Sequence, residues 1–241
     1  MRALAVTAVA LLLWQALVTF ADLPAFILPG PLRVAEALWT NRALIAANAA
    51  VTVAEVLLGL VLGAFLGAGT AIWLAASPLA RSFMQPALVF SQAVPVFALA
   101  PILTLWLGYG LLSKVFMAVL IIYFPVASAF LDGLAATPQG FLDLARTMGA
   151  GPRGTMLRVR IPAALPALAS GLRLAAVYAP IGAVIGEWVG ASRGLGYLML
   201  LANGRAKIDL MFAALLVLAV FTVALHAAVD AAARRLQERS Q

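Results

Sequence analysis

Long apolar runs alternate with short polar ones along this chain, and the apolar runs are of membrane-crossing length. A helix needs about 20 mostly apolar residues to cross a bilayer. Six segments approach or exceed that length: Ala3 to Phe20, Val51 to Ala76, Phe83 to Leu107, Val115 to Leu131, Leu168 to Val189 and Leu210 to Ala232. In hydrocarbon every backbone N–H and C=O must bond within its own segment, so each run predicts a helix. The expected architecture is all-α, a polytopic membrane bundle of about six transmembrane helices in one domain over residues 1–241. Arg2 followed by an apolar run also fits a secretory signal peptide, with Thr19 and Ala21 as the small residues of a cleavage site. Either reading leaves the orientation of the later helices unchanged.

One polar interruption has a helical pattern of its own. Between Asp143 and Pro166 the sequence reads DLARTMGAGPRGTMLRVRIPAALP. Phe141 to Met148 can form a short helix, and Gly149-Ala150-Gly151-Pro152 stops it, because glycine tolerates positive φ and proline cannot continue a helix. A second short helix is expected from near Arg153, ending before Pro162, with Arg146, Arg153, Arg158 and Arg160 outside the bilayer.

Composition agrees with this picture. Hydrophobic residues make up 65% of the 241 and charged residues 10%, with a mean hydropathy of +1.06, which is outside the balance of a soluble domain. The absence of cysteine excludes disulfides and thiolate chemistry. The formal charge of +7 is dispersed among apolar spans, which fits membrane topology and not nucleic-acid binding. With both termini in the cytoplasm, ten Lys and Arg residues fall inside (Arg2, Arg81, Arg146, Arg153, Arg158, Arg160, Arg173, Arg234, Arg235, Arg239). Six fall outside (Arg33, Arg42, Lys114, Arg193, Arg205, Lys207). The sign of that bias places the Asp143 to Pro166 loop in the cytoplasm.

The loop's spacing resembles the cytoplasmic coupling loop, the EAA loop, of bacterial ABC importer permeases, whose pattern is E-A-A, three residues, G, nine residues, I, one residue, L-P. Asp143, Leu144 and Ala145 stand at the first three positions, Gly149 at the glycine, and Val159, Ile161 and Pro162 at the close. Asp for Glu shortens the acidic contact, and Leu144 is bulkier than the pattern's alanine. The resemblance extends from Phe26 to Asp230 through FILPGP (Phe26 to Pro31), Ser91 to Lys114, FPVASAFLDGL (Phe124 to Leu134) and GEWVGASRGLGYLM (Gly186 to Met199). These segments are similar to the permease group serving nitrate, sulfonate, taurine and thiamine-precursor importers. Ala179 to Leu215 looks most like permeases for hydroxymethylpyrimidine, with sulfonate, taurine or nitrate types as alternatives.

The resemblance implies a type I ABC importer permease in the bacterial inner membrane, with a coupling loop over about 133–167. Its implied partners are a cytoplasmic ABC ATPase, an extracytoplasmic solute-binding protein and a second permease copy, most simply a homodimer. Asp143, Leu144, Ala145, Arg146, Gly149, Val159, Ile161 and Pro162 would couple to the ATPase. The chain has no G-x-x-x-x-G-K-S/T phosphate loop, so ATP and Mg belong to the partner and no cofactor is expected here.

Within the spans, Gly59, Gly63 and Gly67 recur every four residues, the pattern of close helix packing. Pro86, Pro95 and Pro101 each remove a backbone donor from the third span, a disruption tolerated where neighbours or a cavity satisfy the freed carbonyls. That span is the candidate lining of the translocation path through Gln92, Pro95, Val96 and Pro101, joined by Gly182 from the fifth. Glu187, with Arg193 as its expected partner, is a candidate structural or gating residue, and Glu55 reads as interfacial. His226 and Asp230 have i, i+4 spacing suited to a local hydrogen bond on an interior face. Trp14, Trp39, Trp73, Trp106 and Trp188 fall near span ends as aromatic anchors.

Other classes fit less well. A membrane enzyme would need catalytic groups, but there is no H-E-x-x-H, no cysteine and one histidine. An ion-coupled secondary transporter would have only Glu55 and Glu187 as coupling acids. A membrane component that captures a vitamin itself would be distinguished by ligand binding to the isolated chain.

Overall fold

The apolar runs form helices that extend past them into polar flanks. A computed structural model describes residues 2–238, except for the side chains of residues 2–4, 7, 92 and 93. Arg239 and the side chains of Arg2 and Gln92 therefore lie outside what is described. In chain order the helices are α1 (Arg2–Phe20), α2 (Pro31–Thr40), α3 (Arg42–Ala76), α4 (Pro78–Ala93), α5 (Val96–Leu107) and α6 (Leu111–Ala135). They continue with α7 (Gln139–Thr147), α8 (Pro152–Thr155), α9 (Ile161–Gly190), α10 (Leu195–Gly204) and α11 (Ile208–Glu238). A π-helical turn, Met156–Arg160, joins α8 to α9.

The polytopic all-α bundle stands, with four spans among the described residues, or five when the bent α4–α5 pair is taken as one. Among the described residues four stretches are long and apolar enough to cross a membrane: Arg42–Ala76, Leu111–Ala135, Pro152–Gly190 and Ile208–Glu238. The expected third span is instead two helices, α4 and α5, bent by 98°. Val94 and Pro95 are both extended at the break, with ψ 117° and 111°. Pro95 has no N–H to continue the ladder and biases Val94 away from the helical region. Pro86 and Pro101, by contrast, sit inside α4 and α5. The expected first span coincides with α1, which is 19 residues long.

α6 is the centre of the bundle, held between α3 and α9. The glycines explain how closely the three backbones approach. A β-carbon on Gly59, Gly63 or Gly67 would come within 2.5 Å of Ala118 Cβ, 2.8 Å of Ile122 Cγ2 or 2.9 Å of the Tyr123 carbonyl. From the other side Gly171 and Gly182 of α9 stand as close to Pro125 O, 2.9 Å, and Ala118 Cα, 2.8 Å. With no hydrophobic drive between helices in lipid, such contact supplies the dispersion energy that holds them. Tyr123 adds a hydrogen bond to Thr70 at 3.0 Å.

Two short helices pack at the end of the bundle opposite α7. α2 buries Val34 and Ala37 against α10 and the start of α11, and α10 buries Leu195, Leu198, Met199 and Ala202 in the same cluster. α1 lies outside this cluster and touches it through Trp14, whose ring is 6.1 Å from Phe212.

Candidate functional site

The polar interruption folds as a helical hairpin whose first turn is set by one glycine. Thr137 Oγ1 donates to the Leu134 carbonyl at 3.1 Å, and Pro138 starts α7. α7 buries Leu142 and Ala145 and leaves Phe141, Leu144 and Met148 exposed. At its C-terminus Gly149 has φ 77°, Gly149 N–H donates to Arg146 O and Ala150 N–H donates to Ala145 O, both at 2.9 Å. That pair of bonds is the Schellman arrangement, and it requires the left-handed residue that glycine supplies most easily.

Beyond Gly151 the chain departs from expectation. The second helix was expected to end before Pro162; it starts at Pro152 and runs unbroken through the π turn into α9, a 39-residue helix ending at Gly190. Pro162 lacks an N–H and its ring crowds the carbonyl four residues earlier, at Arg158. The widened turn at Met156–Arg160 lies over that position and accommodates it.

Between α7 and the α8 segment lies a groove of about 410 Å³ lined by Leu144, Ala145, Gly149, Arg158 and Val159 together with Phe141, Met148, Ala150 and Gly154. Motif residues Leu144, Ala145, Gly149 and Val159 thus converge on one surface, Asp143 and Arg146 lie outside its lining, and Ile161 and Pro162 are half-buried at the base of α9. Asp143 and Arg146 pair at 3.0 Å but are largely exposed, so the pair contributes little to stability. Phe141, Leu144 and Met148 leave an exposed apolar surface on a polar loop, beside Arg158.

The candidate path residues separate. Pro95 forms the α4–α5 break, Val96 packs beside Ala100, Leu103 and Met117, and Pro101 is exposed on α5. Gly182 is buried against α6.

Glu187 is 1% exposed and its partner is not Arg193, which is exposed. One carboxylate oxygen accepts from Thr52 Oγ1 at 2.6 Å; the other accepts from the backbone N–H of Gly196 at 2.5 Å and Tyr197 at 3.3 Å. Asn48 Oδ1 and Thr52 Oγ1 accept from the N–H groups of Gly194 and Leu195, each at 2.8 Å. A carboxylate and two polar side chains thereby satisfy the first N–H groups of α10, where the helix dipole favours negative charge. Arg193, on the solvent side of that turn, has no role in it.

Glu55 is not interfacial. It is 2% exposed, well inside α3 and beside Glu187. Lys114, counted from sequence as an outside loop charge, is likewise 2% exposed within α6. Its ammonium donates to the carbonyls of Tyr109, of Gly110 at 2.9 Å and of Gly190 at 2.7 Å. Sequence reasoning missed Asn48, Thr52 and Lys114. Asn48, Thr52 and Glu55 do carry a signal, polar residues on the helical face that continues as Gly59, Gly63 and Gly67. Lys114 carries none, because a lysine at a span end is ordinarily solvated.

At the opposite end Asp230 accepts from Arg173 at 2.7 Å and pairs with Arg234 at 2.5 Å, tying α9 to α11. The expected His226 to Asp230 hydrogen bond on an interior face is absent among the described residues, and His226 is exposed.

The family model for "Binding-protein-dependent transport system inner membrane component" matches residues 59–240, well over half of the chain. The chain belongs to that family. It is 50% identical to a probable ABC transporter permease protein of Haemophilus influenzae, with 95% of this chain and 94% of the relative covered. It is 38% identical to the formylaminopyrimidine transport permease protein ThiX of Halalkalibacterium halodurans, over 71% of this chain and 69% of the relative. Against the riboflavin transport system permease protein RibX of Chloroflexus aurantiacus the identity is 36%, over 90% and 81%. In fold the chain matches the MetNI methionine ABC transporter, solved in inward-facing conformations, with a TM-score of 0.71 at 20% identity over 82% of this chain and 98% of that one.

The permease is therefore a multi-pass inner-membrane subunit of a binding-protein-dependent ABC importer, and not itself an enzyme. Membership implies an ATPase subunit and a solute-binding protein as partners. No cofactor is expected in the chain.

Proposed function

We propose that the permease translocates a small nitrogen-heterocyclic vitamin or vitamin precursor, with a pyrimidine of the hydroxymethylpyrimidine type as the first reading. The observation that supports it is the 38% identity to a formylaminopyrimidine permease, together with the resemblance over Ala179 to Leu215. A flavin is the second reading, supported by the 36% identity to a riboflavin permease over more of the chain. The test is ATP hydrolysis by the reconstituted importer, stimulated by its binding protein loaded in turn with hydroxymethylpyrimidine, formylaminopyrimidine, riboflavin, taurine or nitrate. Stimulation by a pyrimidine alone is expected. Stimulation by taurine or nitrate alone would overturn the substrate class, and uptake driven by an ion gradient without ATP would overturn the importer mechanism.

In this reading residues 1–241 act as one permease domain paired with a second copy. Both termini and the α7–α8 hairpin, at about 133–167, are cytoplasmic. Asp143, Leu144, Ala145, Arg146, Gly149 and Val159 present the groove to the ATPase, with Ile161 and Pro162 anchoring it to α9. ATP and Mg are bound by that partner, whose closure is passed through the hairpin to a bundle with two arrangements. The α4–α5 bend, with Gln92, Pro95, Val96 and Pro101, lines the path, and α9 supports it through Gly182 and through Glu187 at the outward gate.

Because the chain has no cysteine, Val96→Cys and Pro101→Cys can each be probed alone with a water-soluble thiol reagent. Labelling that changes with nucleotide state is the expected result. No labelling at either position in any state would remove the bend from the path.

A further inference from the structure

The segment Gly186 to Tyr197 contains four glycines and a glutamate, and coupling to the ATPase uses none of them. Geometry accounts for each. Gly186 lies where a β-carbon would come within 3.1 Å of the Lys114 side chain, and Gly190 where one would come within 2.5 Å of Thr104 Cγ2. Gly194, at φ 120°, leaves room for the Glu187 carboxylate, which a β-carbon there would overlap. Gly196 would place one 2.8 Å from Glu187 Oε2. Between Gly190 and Gly194 the chain turns from the C-terminus of α9 to the N-terminus of α10.

That turn is gripped on both sides by buried polar groups, the Lys114 amine and the Glu187 carboxyl. Lys114 has three N–H donors, and all three go to backbone carbonyls: Tyr109 and Gly110 in the α5–α6 turn, and Gly190 at the end of α9. A donor at a helix C-terminus and an acceptor at an N-terminus satisfy backbone groups that the helices themselves leave unpaired. Thr52 bridges the two carboxylate-side contacts, donating to Glu187 and accepting from Leu195.

We propose that Lys114 and Glu187 are positioning residues that lock the α9–α10 turn from both sides, so that the outward ends of α3, α6, α9 and α10 and the α5–α6 turn move as one body during transport. The proposal rests on the importer reading only in that it compares two nucleotide states. Opening of the outward side then occurs around this body and not within it.

The test is amide hydrogen exchange on the assembled importer in lipid nanodiscs, nucleotide-free and with ATP plus vanadate. In the unaltered protein, exchange over residues 108–112 and 193–197 is expected to be equal in the two states while α7 responds to nucleotide. Lys114→Met is expected to speed exchange by at least about tenfold not only at 108–112 but also at 193–197, which Lys114 does not touch. Thr52→Val, close in size and milder, is expected to send the effect the other way, from 193–197 to 108–112. A tenfold change at 193–197 on adding nucleotide to the unaltered protein would overturn the proposal. So would variant effects confined to each variant's own side. If nucleotide changed exchange nowhere, α7 included, the importer reading would fail instead.

Discussion

In an importer assembled with Gly149→Val permease, uptake and binding-protein-stimulated ATP hydrolysis are expected to fall on the order of tenfold, the effect of about 1.4 kcal/mol. The cause is purely backbone. A β-carbon on Gly149 would meet nothing within 4 Å, so no clash contributes. What valine cannot adopt cheaply is φ 77°; a β-branched residue there carries roughly 1 to 3 kcal/mol of strain. The strain is relieved by giving up the two capping bonds from Gly149 and Ala150, which releases the angle between α7 and α8 and disperses the groove formed by Leu144, Met148, Arg158 and Val159. Insertion and packing of the bundle are expected to survive, because α7 touches the rest of the molecule through few residues. Gly149→Asn is the control, since asparagine visits the left-handed region with little penalty. It should keep most of the activity. Equal activity of Gly149→Val, Gly149→Asn and the unaltered importer would show that the hairpin angle does not carry the coupling.

The largest stability effect is expected at Gly67. Gly67→Val would drive a side chain toward the Tyr123 carbonyl, Val126 Cβ and Ala127 N, at 2.9, 3.0 and 3.1 Å, and two of the three are backbone atoms that cannot rotate away. Overpacking of this kind costs about 1 to 3 kcal/mol and sometimes more. α6 is pressed by α9 from its other face, so it cannot retreat. Gly69, two residues on, meets nothing within 4 Å and faces outward. Gly69→Val carries the same local helix penalty and none of the packing penalty. Thermal unfolding in detergent should therefore show a clear loss for Gly67→Val and little change for Gly69→Val. Equal losses would mean that helix propensity, and not close approach, makes glycine necessary there.

Much of this was legible from the chain alone, for physical reasons that differ by element. Hydrocarbon admits few structures, so runs of apolar residues announce helices without any knowledge of their neighbours. The α7–α8 hairpin was readable because its parts are local: a short amphipathic helix, a glycine at a positive-φ position and a proline at the next helix start all act within a few residues. The small-residue stripe of Gly59, Gly63 and Gly67 was readable because period alone places it on one face.

Other features depend on partners distant in sequence. Three prolines announced a disruption of the third span, but the 98° bend and its place at Val94 and Pro95 depend on what α5 packs against. Pro162 looked like a helix end because local rules alone stop a helix there, whereas the packed base of α9 keeps the helix going through a π turn. Arg193 was the plausible partner of Glu187 by proximity in sequence, yet the carboxylate is claimed by the amides of α10 and by Thr52, 135 residues away. The helices, their membrane setting and the α7–α8 hairpin follow from residues that are neighbours on the chain. Which ionisable groups are buried, and what Glu187, Glu55 and Lys114 contact, depends on helices brought together from distant parts of the chain, because burial and hydrogen bonding are properties of packed helices.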